Sequence, residues 1–189
     1  MNDFSNRRYG AIAKAFHWTT ATLVLIAFWY GPGGPELRVY SPALDGDRRL
    51  HETLGLCIFA LAITRILWRT VDTRPDPPEV TRWMGLVAKY MQGALYLLLL
   101  ALPLTAITGA WLEGHPLTLL AGANIPPLLG ISHHIGAAVA RIHTWLGDSI
   151  LWLAGFHAIA ALYHHIFLKD HVLTSMLPRW IPLQRPKDR

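Results

Sequence analysis

Ten histidines and a single cysteine bound the chemistry open to this chain of 189 residues. The neutral imidazole is the one metal ligand in surplus. Because Cys57 is alone, cysteine-rich zinc sites, internal disulfides and covalent C-x-x-C-H attachment of a c-type haem are all excluded. Two histidines are spaced so as to act in concert. His143 and His157 lie fourteen residues apart, which on an α-helix is a rise of about 21 Å and a turn of about 1400°, about 40° short of four full turns. Both rings would therefore leave the helix on one face at two depths, which suits two separate centres one above the other. A zinc or di-iron site would want its ligands at one level, and usually carboxylates. Inside the apolar runs the only acidic residues are Glu52 and Asp148, both at one boundary.

The elements that hold these residues are membrane spans. Hydrophobic residues make up 52% of the chain and charged residues 15%, against about 25% charged in a soluble domain, and the mean hydropathy is +0.30. The pI near 9.7 does not indicate nucleic acid, because the basic residues are scattered between apolar runs instead of forming one face. About 20 residues cross a bilayer core, and four runs approach or exceed that, at 15–30, 51–68, 91–112 and 143–168. The spacing predicts an all-α membrane four-helix bundle in one domain, 1–189. No small-residue cleavage site follows the first run, so it reads as a span and not a secretory signal. Pro103 predicts a bend in the third. The link 113–142 contains an apolar piece, 117–131, broken by Gly122 and Pro126-Pro127, and reads as a lid on the surface instead of a fifth span. Ser132 is the expected N-cap of the fourth helix.

Orientation follows from the basic residues. Arg7, Arg8 and Lys14 precede the first span. Arg65, Arg69, Arg74, Arg82 and Lys89 surround the second link, and Lys169, Arg179, Arg185, Lys187 and Arg189 follow the fourth span. These thirteen of the 17 basic residues share one side, which predicts cytoplasmic termini and an outer link at 113–142. Only Arg38, Arg48, Arg49 and Arg141 fall outside.

On this topology the histidines pair by depth. His51 matches His143 at the outer boundary, and His17 matches His157 toward the inner one. Two pairs of neutral imidazoles at two levels of a bundle are what two bis-histidine haems require, held without covalent attachment and so b-type. Interfacial or hydrogen-bonded core histidines are the plain alternative for any one of them, but ionisable residues within spans are costly and usually functional. Gly55, Gly93, Gly109, Gly147 and Gly155 would leave room beside flat cofactors or allow close helix contact.

Several segments then resemble the bacterial cytochrome b561 family: Arg8-Tyr9 with His17-Trp18, His51-Glu52-Thr53-Leu54-Gly55, Leu102-Pro103-Leu104-Thr105 with Gly109, and His143-Thr144-Trp145-Leu146-Gly147. So do His157 to His165, Lys169-Asp170 and Met176-Leu177-Pro178-Arg179. The resemblance covers nearly the whole chain. It implies a four-helix inner-membrane dihaem cytochrome b with axial ligands on His17, His51, His143 and His157. It also implies likeness to small stand-alone members, one of which moves electrons from superoxide to ubiquinone.

Other residues carry two readings each. Arg65, fourteen residues after His51, reaches the inner side on the same face, where it either snorkels or holds an inner-haem propionate. Arg48 and Arg49 are either a solvated edge or partners for outer-haem propionates and an attraction for an anionic donor. His164 and His165 face headgroups, or one of them contacts quinone or a propionate. His115, His133 and His134 read as surface residues, and Trp18, Trp29, Trp68, Trp111, Trp145 and Trp180 as an interfacial belt. The function is then electron transfer from superoxide or another outer donor through two haem b groups to ubiquinone. The alternative is a cytochrome b anchor for a partner redox subunit of a hydrogenase- or dehydrogenase-like complex. Short tails with no extra domain favour autonomy.

Overall fold

The structure, a computed structural model, describes residues 8–31, 40–72, 80–178 and 181. Arg7, Arg38, Arg74, the Gly/Pro turn at 32–35, Arg179, Trp180 and the basic residues after it lie outside the described residues.

Four helices long and apolar enough to cross a membrane are present: α1 (Ala11–Trp29), α2 (Asp45–Val71), α3 (Arg82–Leu112) and α4 (His133–Tyr163). Each begins before the apolar stretch that announces it. A 3₁₀ turn, Pro42–Leu44, feeds α2, whose first turn holds Asp45 and Asp47 and whose last turn holds Arg69. Both placements complement the helix dipole. Pro103 sits inside α3, where it removes one backbone donor. The fourth helix starts at His133, ten residues before His143, so His133 and His134 are helical and not part of a loop. Ser132 does occupy the N-cap position, yet its side chain makes no capping bond; its backbone N–H instead donates to Leu112 O (2.8 Å).

Between α3 and α4 the chain makes a small antiparallel hairpin, β1 (Leu117–Thr118) against β2 (Asn124–Ile125). After α4 a π turn, His164–Leu168, ends at Lys169 in the left-handed region (φ 55°), and a short helix, α5 (Val172–Met176), follows. The segment around α5 is tied to the start of α1. Trp18 Nε1 donates to Met176 O (2.9 Å), Lys14 Nζ to Leu177 O (3.1 Å) and Tyr9 N to Ser175 O (3.3 Å). Trp18 is thus a link between chain segments. One end of the bundle, the hairpin end, carries β1 and β2; the other, the terminal end, carries α5.

The bundle packs in sequence order, α1 on α2, α2 on α3 and α3 on α4, while α4 stands off from α1 and α2 along most of its length. The α3–α4 approach is close because of two glycines. A Cβ on Gly109 would lie 3.3 Å from Ala140 N, and one on Gly136 would lie 2.6 Å from Glu113 Cγ and 3.1 Å from Glu113 N. Large apolar side chains point outward, with Trp29 82% and Trp145 71% exposed, as expected where lipid and not water surrounds the helices.

The core is thin and central. Ala27, Ile58, Ala62, Leu99 and Ile150 form it. Ile150 stands seven residues from both His143 and His157, and Ile58 seven residues from both His51 and Arg65. Seven residues are nearly two turns, so α2 and α4 each present a polar residue, a buried isoleucine and another polar residue along one face.

Candidate functional site

The gaps that α4 leaves against α1 and α2 are bridged by histidines. At the hairpin end the His51 and His143 rings have centroids 6.0 Å apart with planes at 90°. At the terminal end His17 and His157 are 6.4 Å apart at 70°. Two imidazoles bound to one metal through bonds of about 2 Å each have ring centres about 6 Å apart, so either separation can take a metal between the rings.

At the hairpin end the ring orientation is set from behind. His51 Nδ1 lies 2.7 Å from Ala27 O, and His143 Nδ1 lies 2.9 Å from Leu102 O, the carbonyl just before Pro103. A carbonyl only accepts, so each Nδ1 carries the proton and each Nε2 keeps its lone pair for a metal, the arrangement that fixes a ligand's tautomer. The cavity in which these rings sit is also lined by Gly55 and Gly147, each four residues past its histidine. A Cβ at either glycine would meet nothing within 4 Å, which leaves a cradle for a flat group. Gly93 and Gly155 are open in the same way, whereas Gly109 serves helix contact.

The terminal end is built differently. Among the described residues no hydrogen bond holds the ring nitrogens of His17 or His157. Trp18 packs edge-on to His17 at 5.2 Å, and the Arg65 charge acts on both histidines. The Arg65 guanidinium lies 5.5 Å from the Tyr96 ring centre and that of Arg69 lies 5.6 Å from it. Tyr96 had no signal in the sequence, since an aromatic in an apolar run reads as core or belt. In the π turn, His164 Nδ1 pairs with Asp170 Oδ2 at 2.5 Å, and the shielded His165 Nδ1 has no hydrogen-bond partner among the described residues.

Arg48 is buried, 8% exposed, and pairs with Asp45 and with Glu52 at 2.8 Å, while Arg49 pairs with Asp45 at 2.7 Å. Both guanidinium groups are therefore engaged by carboxylates of their own helix. Arg48 also stacks over Tyr40 (5.1 Å), which stacks on His115 (3.5 Å, 19°). His115 thus has a defined partner. Partial burial, followed by the neighbouring Glu52 carboxylate, pushes the Tyr40 phenol up to about 12.

A model of the prokaryotic cytochrome b561 family matches residues 8–179, a stretch that includes all four long helices and both histidine pairs. The chain belongs to the prokaryotic cytochrome b561 family. It is similar to cytochrome b561 homolog 1 of Escherichia coli K12, at 31% identity over 95% of this chain and 99% of that one. It is similar to cytochrome b561 homolog 2 of the same organism, at 30% over 90% and 91%. To a probable superoxide oxidase, CybB, of Yersinia pestis it is 28% identical over 92% and 98%. As a cytochrome b561 it is a multi-pass membrane protein of electron transfer, and haem b is the group its family binds. The donor set fits: paired imidazoles with open glycine positions beside them, and a single thiol, Cys57, where covalent C-x-x-C-H attachment needs two.

Proposed function

We propose that this cytochrome b561 holds two b-type haems, one between His51 and His143 and one between His17 and His157, and carries electrons across the bacterial inner membrane. The termini are cytoplasmic in this reading, so electrons enter at the hairpin end from superoxide or another outer donor and leave to ubiquinone. What carries it is the pairing of facing histidines at two levels in the two gaps where α4 stands off. The similarity to a probable superoxide oxidase supports the donor, and the concentration of basic residues at the terminal end supports the orientation.

When bound, each haem supplies a one-electron couple. The chain's own residues do the rest. Ala27 O and Leu102 O aim the hairpin-end imidazoles, Gly55 and Gly147 leave space beside them, and Ile58 with Ile150 fills the layer between levels. The fourteen-residue spacing sets the two levels about 21 Å apart. Arg65 brings positive charge to the terminal-end site, where a carboxylate such as a propionate would be welcome. The balance is simple: two superoxide anions each lose one electron to become dioxygen, and ubiquinone takes two electrons and two protons to become ubiquinol.

The test is a haem count and a redox-titrated spectrum of the purified chain, followed by rapid mixing with superoxide in the presence of a ubiquinone analogue. Two haems per chain, reduced by superoxide and reoxidised by quinone, are expected. One haem or none ends the dihaem reading. Two haems indifferent to superoxide, with co-purification of an iron-sulfur subunit, would favour an anchor role in a larger complex.

A further inference from the structure

The hairpin is fastened to α2 right beside His51. Glu52 holds it on one carboxylate oxygen, Oε2 accepting from Thr118 N at 2.6 Å while Oε1 accepts from Arg48 at 2.8 Å. Thr53 repeats the attachment one residue on, its Oγ1 accepting from Leu120 N at 3.0 Å and donating to Arg49 O at 2.7 Å. The hairpin closes on itself through Leu119 N to Ala123 O (2.9 Å). Its two faces differ. Leu117 is 5% exposed and lines the cavity that contains His51 and His143, whereas Leu120 is 54% exposed. Arg48, which shares Glu52 with the hairpin, stacks over Tyr40, and Tyr40 stacks on His115. Apolar plug inward, exposed turn outward and two side-chain acceptors spent on hairpin amides are more than a connection between α3 and α4 needs, since short links suffice for antiparallel neighbours.

We propose that residues 117–125 form a latched lid that keeps water from the hairpin-end histidine pair, with Glu52 and Thr53 as its positioning residues and Leu117 as its plug. A redox group between His51 and His143 then sits in a drier environment than one between His17 and His157. Exclusion of water disfavours the more positively charged oxidised state and raises the potential of the group at this end. This redox consequence rests on the dihaem reading, whereas the latch itself does not.

The test compares the full-length protein with Thr53→Val/Leu117→Ala, a pair of changes that alters no charge, and with Thr53→Ser, which retains the acceptor. Two quantities are read: amide hydrogen exchange over 117–125, and the midpoint potentials of the bound haems. In the double variant the hairpin amides should exchange about tenfold faster or more, and one haem's potential should fall while the other stays. Thr53→Ser should match the native protein in both. Hairpin amides that exchange equally in native and variant protein overturn the latch, and potentials that stay put or move together while the hairpin loosens overturn the lid. If the preparation carries fewer than two haems, the dihaem reading fails, and the exchange comparison still decides the latch. If the double variant fails to fold, Thr53→Val alone decides the latch through exchange at the Leu120 amide, faster exchange supporting it and unchanged exchange overturning it.

Discussion

The two ends of the bundle bring histidines to nearly the same separation by different means. At the hairpin end both rings are tied to backbone carbonyls, Ala27 O and Leu102 O, so tautomer and direction are fixed before any metal arrives. At the terminal end the rings are placed by packing, with a tryptophan edge and an arginine charge as neighbours. A ligand held by a second hydrogen bond loses less freedom on binding than one held by packing alone. The hairpin end is therefore the preorganised site, and the terminal end the adaptable and more positively charged one.

That contrast can be broken outright by removing ligands. If two haems are held as proposed, His143→Ala should abolish the one at the hairpin end and His157→Ala the one at the terminal end, each lowering the pyridine haemochrome count from two per chain to one. Loss of the same spectral component in both variants would show that the pairs are wrongly drawn. A sharper version fills the cradle and leaves the ligands alone. Gly147→Leu, where a Cβ meets nothing within 4 Å, should empty the hairpin-end site while far-ultraviolet circular dichroism stays native. Gly109→Leu, whose Cβ would press on Ala140 N at 3.3 Å, should lower stability by about 1–3 kcal/mol and disturb both histidine pairs together, because α4 carries one histidine of each.

Smaller effects probe the electrostatics. Arg65→Gln removes a positive charge near the terminal-end pair, so the potential of that haem should fall by on the order of tens of millivolts, with little change at the other level about 21 Å away. Spectroelectrochemical titration of the variant reads both. Least of all is the pH effect of Tyr40. Its folded pKa is raised to about 12 from 10.0, so its contribution to stability is complete below about pH 10 and is lost as pH rises through 12. Hairpin-end stability should decline in that window and Tyr40→Phe should flatten the decline, as followed by tyrosinate absorbance alongside thermal melts.

The helices and the depths of the histidines were legible because they are carried by side chains in long periodic runs. His143 and His157 announce one face by their number alone, and the absence of charge from Met91 to Leu112 announces a span. The carbonyls that orient His51 and His143 were not legible, since a backbone oxygen has no residue type. Nor was the seat of Arg48: a guanidinium among Asp45, Asp47 and Arg49 reads as a solvated edge until tertiary contact buries it. The start of α4 at His133 was legible in Ser132, the expected N-cap, whereas the turns between it and the apolar run at His143 were read as link; packing of Gly136 and Ala140 on α3 holds them as helix. The tie between Trp18 and Met176 joins residues 158 positions apart, a separation that no local pattern encodes.

The stand-off of α4 has a consequence for how the molecule is made. The first three helices leave the ribosome carrying His17 and His51 with nothing opposite them, and only the fourth supplies their counterparts. α4 rests on α3 along a strip that includes Gly109, Gly136 and Ala140 and meets α1 and α2 across the two histidine pairs. If haems sit between the facing histidines as proposed, they would act as mortar, joining this fourth wall to the other three. Haem supply would then govern how much protein persists as well as how much is active, because a wall left unmortared is what membrane quality control removes.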